Sequence, residues 1–217
     1  MEMEVRHGCG KVDTAMECID GGGSHDLCSR IPRRFTMTDV RERLFDLIDA
    51  TPNLTWQLLT KRPENIRRMW HQAGHPFCTH PADDDWAYSR LNVWLGTTVE
   101  NQEAADNRLP ELLENSDLSP VQFLSMEPLL GNVDLRWPEE INPFMTPLLN
   151  YIQWIIVGCE SGSHRRDTKI EWVRDLRDQC KAAGVAFFVK QLEIDGKVAT
   201  DINQFPEDLR IQEFPKL

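Results

Sequence analysis

Five apolar runs punctuate the chain, at residues 55–61, 92–100, 121–127, 152–160 and 185–191, and each ends in a cluster of polar, chemistry-bearing residues. Their apolar character is nearly continuous, as expected of parallel strands buried on both faces. They begin at Thr55, Asn92, Val121, Ile152 and Val185, at intervals close to the roughly 30 residues of a strand, helix, strand unit. In parallel-sheet folds the carboxyl ends of the strands surround one crevice, so residues far apart in sequence converge there.

Helical periodicity fills the gaps. Asp39 and Glu42 read as a capping box ahead of Val40, Leu44, Leu47 and Ile48, predicting a helix over 39–50. Pro63 suits a first helical turn and leads into a stripe of Ile66, Met69, Trp70 and Ala73. Residues 101–115 read as helical, with Pro110 splitting them into two short helices, because proline removes a backbone donor and clashes with the preceding turn. Thr168 and Glu171 form a second capping box; Ile170, Val173, Leu176 and Cys180 make the buried stripe, and Gly184 supplies the stop. The stretches 71–91 and 131–151 carry Pro, Asn and Asp without a sustained period and read as loops, with a short helical turn near 147–151.

Alternating strands and helices give an α/β class with parallel strands covered by helices. A complete eight-fold barrel takes about 250 residues. Five units in 217 residues therefore predict a partial TIM-like (β/α) barrel, truncated at its N-terminal side, with an open sheet as the other solution. The expected division is an irregular segment over 1–38 and the barrel domain over 39–217, with Gly21-Gly-Gly-Ser24 as the flexible-looking patch.

Composition narrows the function classes. Apolar residues make up 41% and charged residues 27%, which is globular usage, and no apolar stretch reaches the roughly 18 to 20 residues of a membrane span. The first six residues carry Glu2 and Glu4 where a signal peptide is basic and no apolar region follows, so the expected location is cytoplasmic. A net charge of −11 disfavours nonspecific nucleic-acid binding unless cations concentrate in one patch.

The strand ends carry the candidate chemistry. Lys61 and Arg62 stand beside a helix start, where backbone donors and the helix dipole also favour an anion. Glu100, Glu127 and Glu160 follow three runs directly and could bind a cation, hold an ammonium or act as general acid and base. The competing reading is that the cations only neutralise these carboxylates. Ser125 and Ser161 stand beside the carboxylates, and Lys190 and Gln191 close the last run with a cation and an amide. Cys159 reads as a small buried thiol rather than a nucleophile. Cys9, Cys18 and Cys28, with His7 and His25, are candidate metal ligands, although separations of nine and ten positions between the cysteines match no short metal-knuckle spacing.

Five ordered motifs, Leu-Leu-Thr60-Lys61-Arg62-Pro63, Gly96-Thr-Thr-Val-Glu100-Asn-Gln102, Phe-Leu-Ser125-Met-Glu127-Pro-Leu-Leu-Gly131, Gly158-Cys-Glu160-Ser-Gly162 and Phe-Phe-Val-Lys190-Gln191, closely resemble an uncharacterised family of phage and prophage proteins. That family is radical-SAM-like and carries an N-terminal three-cysteine motif. The resemblance implies a TIM-like partial barrel in which three cysteines hold a 4Fe-4S cluster that binds and reductively cleaves S-adenosylmethionine. This chain departs from the pattern: Cys9 stands in place, but Met16 and Ile19 occupy the positions of the other two cysteines and Cys18 is off by one. The resemblance then implies a shortened relative that keeps a crevice for a small anionic or nucleotide-like ligand and needs no cofactor. Two alternatives stand beside it: an active cluster enzyme using Cys18 and Cys28 through a rearranged loop, and an acidic phage protein that inhibits a host factor. A protein partner could cover the open strand edges of an incomplete barrel.

Overall fold

The computed structural model describes residues 36–72, 91–136 and 148–216. Cys9, Cys18 and Cys28, the 21–24 patch and most of the two loops lie outside the described residues. Thr38–Leu217 form one compact unit. Its elements are α1 (Met37–Ala50), β1 (Trp56–Thr60), α2 (Ile66–Gln72), β2 (Val93–Thr98), α3 (Gln102–Leu113), β3 (Gln122–Met126), β4 (Trp154–Gly158), α4 (Ile170–Ala183), β5 (Ala186–Ile194) and β6 (Lys197–Ala199), with short 3-10 turns between several of them.

All five predicted runs are strands. The sheet order is β1-β2-β3-β4-β5-β6; the first five strands pair in parallel, with Leu58 opposite Leu95, Thr97 opposite Leu124, Leu124 opposite Ile155 and Ile155 opposite Phe187. Every parallel crossover steps one strand onward in the same direction, without the reversal that defines a doubly wound sheet. The helices consequently collect on one face. Ile48, Trp70, Leu109, Leu112, Val173 and Leu176 pack with Leu95, Leu124, Ile155 and Phe187 in a single core. The other face bears no helix among the described residues; Trp94, Phe123 and Trp154 pack there with Ile156 and Phe188.

The sheet is mixed and open, so no closed barrel is formed. Five parallel strands are too few to close, and the far edge of β5 is already occupied. It pairs antiparallel with β6 through Leu192, Glu193 and Ile194. Nearer its start, the C-terminal tail runs along the same edge, with the Val189 N–H donating to the Ile211 carbonyl at 2.9 Å and the Glu213 N–H to the Phe187 carbonyl at 3.0 Å. The edge of β1 has no strand partner among the described residues.

Several local expectations change. The first helix starts at Met37, which puts Asp39 in its first turn rather than at its cap; Thr36, Thr38 and Asp39 all have cap chemistry, and periodicity alone does not choose between them. Residues 102–113 form one helix with Pro110 inside it. Asp106, whose carbonyl loses its donor to the proline, is exposed, so water can satisfy it. The expected Thr168 cap is not made: the hydroxyl donates instead to the Leu129 carbonyl at 2.9 Å, and α4 begins after Lys169 without a side-chain cap. Gly184 does end that helix, in the left-handed region at φ 72°, and a short 3-10 turn occupies Leu148–Tyr151.

Candidate functional site

Alternation along a strand sends every second residue to the same face. On the helix-free face this places Thr98 and Ser125 above Trp94 and Phe123, at the carboxyl ends of their strands. The aromatic layer fills the lower part of this face: Phe123 lies 5.9 Å from Trp154, and Trp154 lies 5.8 Å from Trp94. Gly96 makes room for that layer, since a Cβ there would stand 2.5 Å from the Phe123 ring.

Above it lie three groups of ion pairs. Lys61, just past β1, places its Nζ 2.5 Å from Glu100 Oε1, and Arg108 of α3 places Nη1 2.7 Å from Glu100 Oε2. The same Arg108 nitrogen donates to the Thr98 carbonyl at 2.8 Å and hydroxyl at 3.0 Å. Glu100 is buried, which by itself would raise its pKa; the hydrogen bonds from Lys61 and Arg108 outweigh the burial and hold the carboxyl below its ordinary value.

After β3, Glu127 Oε1 lies 3.1 Å from Lys190 Nζ, and the Ser125 hydroxyl donates to Oε2 at 3.3 Å. The carboxylate rests against the next strand: a Cβ on Gly158 would meet Glu127 Oε1 at 2.7 Å. Glycine at 158 is therefore a requirement of close approach. After β4, Glu160 takes a forked pair from Arg166, Nε at 2.9 Å and Nη2 at 2.7 Å, together with the Arg166 backbone N–H at 2.8 Å. These bonds hold its pKa down at about 2. Arg166 also lies close enough to Glu100 for that charge to raise its own pKa, behind the larger effect of its bond to Glu160.

A shift in the β4–β5 register pairs Gly158 with Gln191 and leaves Lys190 as an extra residue. Such bulges re-aim side chains. Here Lys190 reaches Glu127, while Gln191 Nε2 donates to the Cys159 carbonyl at 2.6 Å. Backbone bonds tie the loops down: the Leu130 N–H donates to the Glu100 carbonyl at 2.8 Å and the Leu129 N–H to the Gly158 carbonyl at 3.0 Å.

Of the residues singled out from sequence, the fold brings Lys61, Glu100, Ser125, Glu127 and Glu160 to the strand ends, and places Lys190 and Gln191 within β5, which runs on to Ile194, at the point where its pairing with β4 stops. Arg62 is exposed, with its backbone N–H donating to the Thr60 hydroxyl at 3.0 Å, and its side chain makes no ion pair among the described residues. Ser161 is exposed and makes no hydrogen bond among them. Sequence reading missed Arg108 and Arg166. Arg108 borders the buried stripe of Ala104, Ala105 and Leu109 on α3, a signal that becomes usable only once one unbroken helix is assigned there. Arg166 sits in an irregular segment between β4 and α4 with no periodicity to mark it.

The arrangement layers the charges. The Glu100, Glu127 and Glu160 side chains are 11%, 17% and 27% exposed, whereas those of Lys61, Lys190 and Arg166 are 63%, 57% and 61% exposed. Carboxylates lie within and cationic heads face outward with donors to spare. Beside this network Arg165 and Glu193 pair at 3.5 Å. Cys159 is buried, and burial foremost pushes its thiol up; Cys180 is pushed up to about 12, chiefly by burial. Neither thiol is poised to be a thiolate ligand or nucleophile. Among the described residues no group of three or more His, Cys, Asp or Glu side chains could hold a metal ion; the candidate ligands Cys9, Cys18 and Cys28 lie outside them. No helix among the described residues is long and apolar enough to cross a membrane.

No curated protein and no solved structure is significantly similar to this chain. The family described as "Protein of unknown function (DUF5131)" matches residues 31–203, a span that runs from just before α1 through every strand and every charge of the network. The chain belongs to that family.

Proposed function

We propose that the chain is a partial (β/α) barrel of the radical-SAM-like type that binds a small anionic or nucleotide-like ligand at the carboxyl ends of its strands. One observation carries the reading: side chains delivered by five consecutive parallel strands form three neighbouring ion-pair groups, Lys61 and Arg108 with Glu100, Lys190 with Glu127 and Arg166 with Glu160, in which the heads of Lys61, Lys190 and Arg166 are exposed. Lys61, Arg62, Arg108, Arg166 and Lys190 stand against Glu100, Glu127 and Glu160, a positive surplus of two in a chain of net charge −11. The strictly sequential strand order also favours a barrel segment over a doubly wound sheet.

The resemblance to radical-SAM-like phage proteins suggests S-adenosylmethionine as the first ligand to try; when bound, a 4Fe-4S cluster would supply reductive cleavage of it. Such a cluster would rest on residues outside the described ones, and the experiment addresses binding first. Isothermal titration with S-adenosylmethionine, S-adenosylhomocysteine and adenosine tests the reading, beside iron analysis of anaerobically purified protein and a Cys9→Ala variant. Binding that weakens on Lys190→Ala and Arg166→Ala is the expected result. Failure of all three compounds and of inorganic phosphate to bind would sink it, and stoichiometric iron lost on Cys9→Ala would replace it with a cluster enzyme.

A further inference from the structure

The two edges of the sheet are finished differently. The outer edge of β5 is covered twice, by β6 and by the tail through the Ile211 carbonyl and the Glu213 N–H. The edge of β1 has no strand partner among the described residues. It also carries none of the devices that blunt an open edge: Trp56-Gln-Leu-Leu-Thr60 holds no charge and no proline, and it pairs with β2 residue for residue, without a bulge.

The same end of the molecule gathers exposed apolar surface. Among the described residues every exposed large hydrophobic side chain except Phe214 belongs to α1, to β1 or to the turns just before β1 and β2: Met37, Val40, Leu47, Leu59, Leu54 and Leu91. The two turns sit side by side, since the Asn92 side chain donates to the Leu54 carbonyl at 3.0 Å. Charge sets this end apart as well. Residues 36–72 carry six Lys and Arg against five Asp and Glu, whereas the described residues from 91 onward carry twelve against nineteen. In a chain of net charge −11 this is where a second copy meets the least repulsion.

Strand geometry supplies the register. The Trp56 N–H donates to the Asn92 carbonyl at 2.7 Å, so Trp56, Leu58 and Thr60 turn their main-chain groups toward β2, and Gln57 and Leu59 turn theirs to the outer edge. We propose that β1 pairs antiparallel with β1 of a second copy, about a two-fold axis at Leu58, joining the two sheets into one. In this register Gln57 of each copy stands opposite Leu59 of the other, and both residues donate and accept across the axis, while Leu58 faces its own counterpart. Gln57 and Leu59 lie in register with Trp94 and Gly96, on the helix-free face, and both are exposed. No like charges oppose one another along the pairing. The axis stands perpendicular to the sheet, so the two α1 helices share one face, each with Val40 and Leu47 exposed. Because the paired strands run in opposite directions, the two strand-end crevices open at opposite ends of the joined sheet, and the dimer stands independently of the ligand reading.

The test is sedimentation velocity of the whole chain across a concentration series, with hydrogen exchange read at the β1 amides. The expected result is a species of twice the 25.1 kDa chain mass that dissociates on dilution. Leu59→Lys, at an exposed position, should weaken it at least about tenfold, since a symmetric contact loses the pair twice, with an unchanged far-ultraviolet circular dichroism spectrum. Gln204→Lys, exposed in a turn after β6, should leave the dimer intact. Leu58→Cys should give a disulfide-linked dimer under mild oxidation, because its α-carbons meet at about 4.5 Å across the axis; Gln57→Cys, set opposite Leu59, should cross-link no more than the parent. A chain that is monomeric throughout the series overturns the proposal, whether the Gln57 and Leu59 amides exchange slowly, as under a cover the chain supplies itself, or rapidly, as at an edge left for a different partner. A dimer untouched by Leu59→Lys, or trapped through Gln57→Cys rather than Leu58→Cys, overturns it too.

Discussion

Gly96→Ala isolates the contact that lets the helix-free face of the sheet close around its aromatic layer. A methyl group there would stand 2.5 Å from Phe123 Cζ and 2.6 Å from both ε carbons, against an ordinary carbon–carbon contact of about 3.5–4.0 Å. The ring would have to retreat by roughly 1 Å, but Phe123 is 2% exposed and Trp154 stands 5.9 Å from it, centroid to centroid. Overpacking of this kind costs about 1–3 kcal/mol. In a chain of this size that corresponds to a fall in Tm of roughly 2–12 °C, at about 2–4 °C per kcal/mol. Urea unfolding monitored by tryptophan fluorescence reads the loss. A double-mutant cycle with Phe123→Leu locates it: removing the ring edge should return part of the cost, so the double variant should be more stable than the sum of the singles predicts. If Gly96→Ala were within about 0.5 kcal/mol of the parent, or if the two changes simply added, the ring would not be the obstacle and the argument would fail.

Glu160 should titrate near 2 by carboxyl NMR, and Arg166→Ala should return its midpoint toward the ordinary glutamate value of about 4.3. Because the folded-state pKa lies below the unfolded one, this pair contributes stability that is fully present above the unfolded-state pKa and is lost as pH falls from there through about 2; an acid-unfolding midpoint that Arg166→Ala leaves unmoved would count against it. Gln179→Leu should cost about 1–3 kcal/mol in chemical denaturation. That side chain is buried, accepts from the Leu135 N–H at 2.8 Å and donates to the Val133 carbonyl at 2.9 Å, so its removal strands backbone groups under a loop. Gly184→Ala should cost about 1 kcal/mol and Gly184→Asn less, since the residue ends α4 at φ 72°; equal stability of the three proteins in thermal melts would show that the left-handed turn relaxes without strain.

Much of the site was legible because its residues directly follow strands. Glu100, Glu127 and Lys190 needed only the inference that parallel strands deliver their carboxyl ends to one crevice. The antiparallel β6 carried a readable signal that went unused: Asp195-Gly196 is a two-residue hairpin turn, and both residues have positive φ, 49° and 72°. Pro110 misled because the general rule penalises proline inside a helix without regard to which side the orphaned carbonyl faces. Thr168 misled because its hydroxyl, a local cap by pattern, had a tertiary acceptor in Leu129.

The sequence by itself determined the class and the five parallel strands, since apolar runs spaced by helical patterns are what a helix-covered parallel sheet requires; β2, β3 and β4 are buried almost throughout, whereas β1 and β5 alternate. It also determined which residues stand at the strand ends. Tertiary structure decided how those residues are paired. Whether Lys61 neutralises Glu100 or Glu127 depends on distances between loops that no local pattern encodes; Arg108 reaches Glu100 across a helix–strand contact, and Lys190 meets Glu127 in a strand carrying a bulge that no periodicity announces. Packing also left the sheet open, because β6 and the tail occupy the edge of β5 that a further barrel strand would need. Local sequence fixes the backbone propensity of each element, whereas charge pairing and sheet closure are properties of which surfaces meet.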